Sequence, residues 1–183
     1  MHRAKYFLNK DCLKSLYYSY IHCYLNYGNL AWGSTYKTDL KKIHSKQKHA
    51  IRIVSNASRL THTRPLMRSL KILNIYQLNI HKTIVFMHQV KTSNAPYVFR
   101  EKFKYPSHKY PTTFSKNNFL VPKLSLQKSR FKISVRGPRL WNKILLDSQK
   151  VLEKSNLFKA KTKEMLVNTE NAFARTLLIC YKV

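Results

Sequence analysis

Between residues 11 and 27, Leu13, Leu16, Tyr17, Tyr20, Ile21, Tyr24 and Leu25 recur at helical spacing. A stripe that broad predicts a helix buried on one face and closed at Tyr27-Gly28, where glycine takes a left-handed cap without strain. The link Leu30-Ala31-Trp32-Gly33 leads to a second helix over about Asp39 to Ala57, with Thr38 as its N-cap. Leu40, Ile43, Gln47, Ala50, Ile51 and Val54 form its inner face, and Lys41, Ser45, Lys48, Arg52 and Ser55 its outer one. A third, short helix is expected to start at Pro65, where a missing N–H costs least, and a fourth to run from Ile75 to Thr92. After Asn94-Ala95-Pro96 the pattern breaks. Prolines at 96, 106, 111 and 122, with β-leaning pieces at Asn118–Val121 and Arg130–Val135, predict loops with one or two short strands. Helical spacing returns at Pro138, read as a helix start, with Leu140, Trp141, Ile144 and Leu145. It returns again after Ser155 with Leu157, Phe158, Met165 and Leu166, and a last amphipathic helix is expected over Thr169–Tyr181. The fold class is therefore mainly α, with a helical region at 1–92 and a basic, loop-rich and helical region at 93–183.

Composition changes this picture chiefly through charge. The 183 residues hold 35 Lys and Arg against 7 Asp and Glu, for a net charge of +28, while 44% of positions are hydrophobic. Hydrophobic content at that level argues for a folded chain, and the charge argues for a polyanionic partner such as the phosphate backbone of RNA or DNA. Most of the excess lies in the middle: residues 37–92 carry 12 Lys and Arg against one acid, and residues 93–135 carry 9 against one.

Several chemistries are excluded. The three glycines, Gly28, Gly33 and Gly137, are too few and too scattered for a phosphate-cradling loop, so no nucleotide cofactor is expected. The seven acids are dispersed and form no pair able to hold catalytic cations. His44 and His49 stand five apart and His81 and His88 seven apart, which matches no zinc spacing, so no metal site is expected. Cys12 and Cys23 fall on the first helical stripe and read as inert buried thiols. Neither a signal-like stretch nor an apolar run of spanning length is present, and the expected location is intracellular, nuclear or cytoplasmic, without membrane insertion or secretion.

The candidate binding residues follow from the charge pattern. Lys41, Lys48 and Arg52 share one outward stripe of the second helix. Arg100, Lys102, Lys104, Arg130 and Lys132 are interleaved with Phe103, Tyr105, Phe119 and Phe131, a texture that serves either to stack unpaired bases or to pin a loop to the core. Trp32 and Trp141, each beside apolar neighbours, read as core anchors.

Read in order, Phe7-Leu8-Asn9-Lys10-Asp11-Cys12-Leu13, Leu16-Tyr17-Tyr18-Ser19-Tyr20-Ile21, Leu25-Asn26-Tyr27-Gly28, Trp32-Gly33 and Gln47-Lys48-His49-Ala50-Ile51-Arg52-Ile53 form a pattern. It resembles the region just downstream of the catalytic palm in non-LTR, LINE-type and jockey-like, retrotransposon reverse transcriptases. Pro65-Leu66 with Leu70-Lys71-Ile72-Leu73 continues it, and Ser134-Val135-Arg136-Gly137-Pro138-Arg139-Leu140-Trp141-Asn142 with Phe158-Lys159 is similar to the carboxyl-terminal signature of the same polyproteins. The likeness covers about residues 5 to 166. It implies a thumb-like helical bundle that grips template and primer. The family's Tyr-x-Asp-Asp catalytic turn has no counterpart, since the chain contains no Asp-Asp pair. The expectation is a truncated element copy without polymerase activity, with a stand-alone basic RNA- or DNA-binding scaffold as the alternative. A thumb without its palm would leave the stripe Tyr17, Tyr20, Tyr24 partly uncovered, so self-association through an exposed apolar face is also expected.

Overall fold

The computed structural model describes residues 3–106, 118–123, 131–148 and 155–168. The protein is mainly helical, and no strand occurs among the described residues. It divides into two compact units, Met1–Asn79 with Glu164–Val183, and Ile80–Lys163. The composition shift at Ser93 falls inside the second of these.

In the first unit a 3-10 turn at Ala4–Tyr6 precedes α1, Lys10–Tyr17, whose first turn is capped by Asn9 accepting from the Cys12 N–H at 2.9 Å. The helix then passes through a π-turn at Tyr18–His22 before α2, Cys23–Asn26. Gly28, at φ 57°, supplies the left-handed residue that separates α2 from α3, Asn29–Trp32. Only part of the expected stripe is buried. Leu13, Tyr17 and Leu25 face the core, whereas Tyr20 and Tyr24 stand in solvent, and Cys12 and Cys23 are exposed rather than buried thiols.

The long helix α4 spans Lys37–Val54, starting before the expected Asp39. Its N-cap is Tyr36 and not Thr38, and no side chain caps it. Thr35 Oγ1 instead donates to Asp39 Oδ2 at 3.4 Å, which holds an acid in the first turn where the helix dipole favours it. The core beneath α4 joins Leu13 and Tyr17 to Ala50, Ile51, Val54, Met67, Leu70 and Ile72. At its centre the Gln47 amide donates to Tyr17 Oη and to the Leu73 carbonyl, both at 3.0 Å, and accepts from the Ile75 N–H at 2.9 Å. Gly33 sits so close to Asn29 and Asn79 that a Cβ there would stand 2.5 Å from the Asn29 carbonyl oxygen. The Asn79 amide fills that space, donating to Asn29 O at 2.8 Å.

Two further helices follow: α5, Thr63–Ser69, and α6, Ile75–Lys91. Pro65 is the third residue of α5, still within the turn whose N–H groups have no helical acceptor. Helices α4, α5 and α6 all end in the same way without glycine. Asn56, Lys71 and Ser93 take left-handed φ of 48°, 54° and 59°, and the next residue's N–H returns to the carbonyl five back, Ala57 to Arg52, Ile72 to Met67 and Asn94 to Gln89, each at 2.9 Å. A side chain in that conformation costs about 1–2 kcal/mol that glycine avoids. Lys71 is exposed, so Lys71→Gly is expected to raise stability by about 1 kcal/mol, read as a higher urea midpoint at unchanged slope; a lower midpoint would contradict it.

The second unit is organised by rings. It contains α7, Tyr97–Lys102, the helix α8, Ile133–Ser148, and the part of α9, Ser155–Asn168, that runs up to Lys163. Phe103 and Phe119 are buried with centroids 6.0 Å apart, Tyr105 stacks on Phe119 at 5.0 Å, and Phe86 meets both Phe99 and Phe103 edge-on. These rings pin the loop to the core, one of the two uses expected for them.

The strand expectations fail for identifiable reasons. Asn118–Val121 forms no strand: the Leu120 N–H donates to the Lys104 carbonyl, and the Asn142 amide takes both backbone groups of Phe119. Asn142 Oδ1 accepts from the Phe119 N–H and its Nδ2 donates to the Phe119 carbonyl, both at 2.9 Å. Of the other expected strand, Arg130 lies outside the described residues and Ile133–Val135 forms the first turn of α8. Pro138 is not a helix start but the sixth residue of α8, where it removes a backbone donor. The turn around it is held by packing: Gly137 lies against Met87, whose Sδ would be 2.5 Å from an added Cβ. The expected helix Thr169–Tyr181 also lies outside the described residues.

Candidate nucleic-acid interface

In the first unit, α4 carries Lys41, Lys42, Lys46, Lys48 and Arg52 and only one acid, Asp39. Lys41 is exposed as expected, and Lys48 is half-buried. Arg52 is diverted: its Nε–H donates to the Thr61 carbonyl at 3.0 Å, so it ties down the loop that follows α4. The charge of Lys48 is felt by His44, whose imidazole packs on Tyr76 at 5.1 Å. Burial, and then Lys48, pull the His44 pKa down to about 4, so this ring is neutral at physiological pH and adds nothing to the cationic face.

Lys42, Lys46 and His49 were not singled out from the sequence, yet they form the other exposed edge of α4. Lys46 and His49 rim a groove of about 570 Å³ whose remaining walls are Leu16, Tyr20, Ile21, Ala50 and Ile53. Their spacing of three and four from one another and from Ile53 was the available signal.

In the second unit, Arg100 and Lys102 are exposed on α7, with the Arg100 guanidinium 5.9 Å over the Tyr97 ring. Lys104 and Lys132 are also exposed. Their backbone carbonyls do structural work: Lys104 O accepts from Leu120 N at 2.8 Å, and Lys132 O accepts from Val135 and Arg136 at the start of α8. Arg130 lies outside the described residues.

A further basic cluster in this unit joins residues distant in sequence. His81 Nε2 lies 3.1 Å from the Lys159 carbonyl oxygen. Burial lowers the pKa of His81, its hydrogen bond to the Lys159 carbonyl offsets part of that, and the charges of Lys82, Lys163 and Lys159 lower it further; burial and then Lys159 likewise lower that of Lys82. Like charges that depress one another create a local positive potential, which an anion relieves.

Among the described residues no group of three or more His, Cys, Asp or Glu is placed to hold a metal ion, and no helix is long and apolar enough to cross a membrane. What both units present is exposed cations, in the first unit beside exposed tyrosine rings. Such a surface attracts phosphates and offers flat faces to bases. No protein family, curated protein or solved structure matches this chain.

Proposed function

We propose that this chain is the nucleic-acid-gripping part of a non-LTR retrotransposon reverse transcriptase, holding template and primer through their phosphate backbones and contributing no polymerase chemistry of its own. The observation that carries the binding half is the solvent-facing side of α4, where Lys41 on one edge and Lys42 and Lys46 on the other are exposed against a single acid. The ordered motifs from Phe7 to Lys159 support the origin. The absence of any Asp-Asp pair in the chain supports gripping without catalysis.

Binding of this kind is sequence-tolerant and driven by counterion release, so affinity falls by about 0.9 log unit per log of salt for each duplex phosphate contacted, and by about 0.7 for a single strand. Replacing Lys41 and Lys42 together by Ala is expected to flatten the salt slope by about one contact's worth or more, measured by fluorescence anisotropy on a labelled duplex at several salt concentrations. An affinity independent of salt, or a slope unchanged in the double variant, would contradict the proposal.

A further inference from the structure

The groove on the first unit has an apolar floor and a basic rim. Leu16, Ile21, Ala50 and Ile53 line it, Lys46 and His49 border it, and no acid takes part. Its volume of about 570 Å³ lies within the roughly 300–1,000 Å³ typical of small-molecule sites. Tyr20 is part of the wall, 66% exposed, and Tyr24, one turn further along the same helix, is 75% exposed. Neither ring is consumed by the core. Tyr20 lies inside the π-turn Tyr18–His22, a local departure from regular helix of a kind that recurs at functional sites.

Charge decides among occupants. A second copy of this chain would bring a protein of net charge +28 against an already basic rim, which repels it. An apolar, flat ligand bearing negative charge at its edge complements both floor and rim, and a nucleobase with its phosphate has that form. In a duplex the base faces are covered by their neighbours, so only a single strand offers them. One helical turn separates Tyr20 from Tyr24 by about 6 Å of rise, more than the 3.4 Å per nucleotide of a stacked strand, so bases resting on both rings would be splayed. We infer that this groove seats unstacked bases of a single-stranded nucleic acid, with Tyr20 and Tyr24 as stacking faces and Lys46 as the phosphate contact. The inference rests on the nucleic-acid reading above and adds to it a site and a strand class.

The test compares a short oligouridylate with a blunt RNA duplex, both binding to the full chain. Tyr20→Ala combined with Tyr24→Ala removes two exposed rings and is expected to weaken oligouridylate binding by about 10- to 100-fold while leaving duplex binding unchanged. Tyr20→Phe with Tyr24→Phe keeps the faces and is expected to bind both probes as the parent does. If the double alanine variant binds oligouridylate normally, or loses both probes equally, the groove is not the seat, although the binding proposal survives wherever the parent retains its salt-dependent affinity. If the parent binds neither probe, that broader proposal fails as well. If an acidic amphipathic helical peptide occupies the groove without displacing oligouridylate, the groove docks protein and the inference is wrong.

Discussion

Trp141→Ala is expected to destabilise the second unit by about 3–5 kcal/mol, a large share of the roughly 5–15 kcal/mol that holds a domain together. The indole is 2% exposed and stands at the junction of three elements. Phe119, from the segment before α8, meets it edge-on at 6.0 Å, while Phe158 from α9 and His88 from α6 lie tilted against it at 6.0 Å and 6.3 Å, and His88 itself stacks on Phe158 at 4.3 Å. Truncation would open a cavity that no single neighbour fills, and it would loosen the loop that Asn142, next along α8, also holds. Limited proteolysis checks this directly: cleavage within 93–163 should accelerate while fragments from 10–74 persist, since those rest on the separate core around Tyr17 and Ile51. Trp141→Phe, which keeps a ring in place, should lose less. If Trp141→Ala keeps the parent's proteolysis pattern but loses nucleic-acid affinity, the indole is a stacking platform and not an anchor.

The helices were legible in the sequence because their apolar spacing is regular, and the failures trace to residues whose partners the spacing does not encode. Tyrosine is one source of error. Tyr17 and Tyr20 fall on the same predicted stripe, but a ring with a polar tip suits core and surface alike, and the structure buries the first and exposes the second. The π-turn at Tyr18–His22 leaves no mark in the apolar pattern, since a stripe this broad accommodates the extra residue. Pro138 misleads by a sound rule: proline favours a helix's first turn, yet here the turn before it forms because Val135 and Arg136 are buried and Gly137 packs on Met87. Asn118–Val121 has the β-leaning residues of a strand, but its backbone bonds to the Asn142 side-chain amide and to the Lys104 carbonyl and not to a strand.

The binding surface was legible in outline only. Lys41 lies where the helical stripe puts it. Arg52, on the same stripe, is drawn to the Thr61 carbonyl by a loop conformation that helical spacing cannot foresee. The cluster of Lys82, Lys159 and Lys163 around His81 is assembled from two helices about 78 residues apart in the chain, a juxtaposition invisible to any local pattern.

Gln47→Leu is expected to cost the first unit about 3–5 kcal/mol, although the change preserves size and increases hydrophobicity. Gln47 is buried on the inner face of α4 and joins three elements through one amide. Its Nε2 donates to Tyr17 Oη at the end of α1 and to the Leu73 carbonyl before α6, and its Oε1 accepts from the N–H of Ile75, the first residue of α6. That N–H has no helical acceptor, as for every first-turn residue, and Ile75 is fully buried, so water does not replace the lost partner. Leucine fills the volume but leaves a buried donor, a buried carbonyl and a buried hydroxyl with their bonds to Gln47 broken, at about 1–3 kcal/mol for each group left unsatisfied. The depth of the site is visible in Tyr17, whose hydroxyl pKa burial pushes up to about 12 even though the Gln47 amide pulls it down. Urea denaturation of Gln47→Leu, Tyr17→Phe and the pair separates the contributions. Because Tyr17→Phe removes the hydroxyl that Gln47→Leu orphans, the double variant should lose less than the sum of the singles by about 1 kcal/mol. A Gln47→Leu protein as stable as the parent would show that the amide bridges only groups solvent reaches, and that α1, α4 and α6 are held by apolar packing alone.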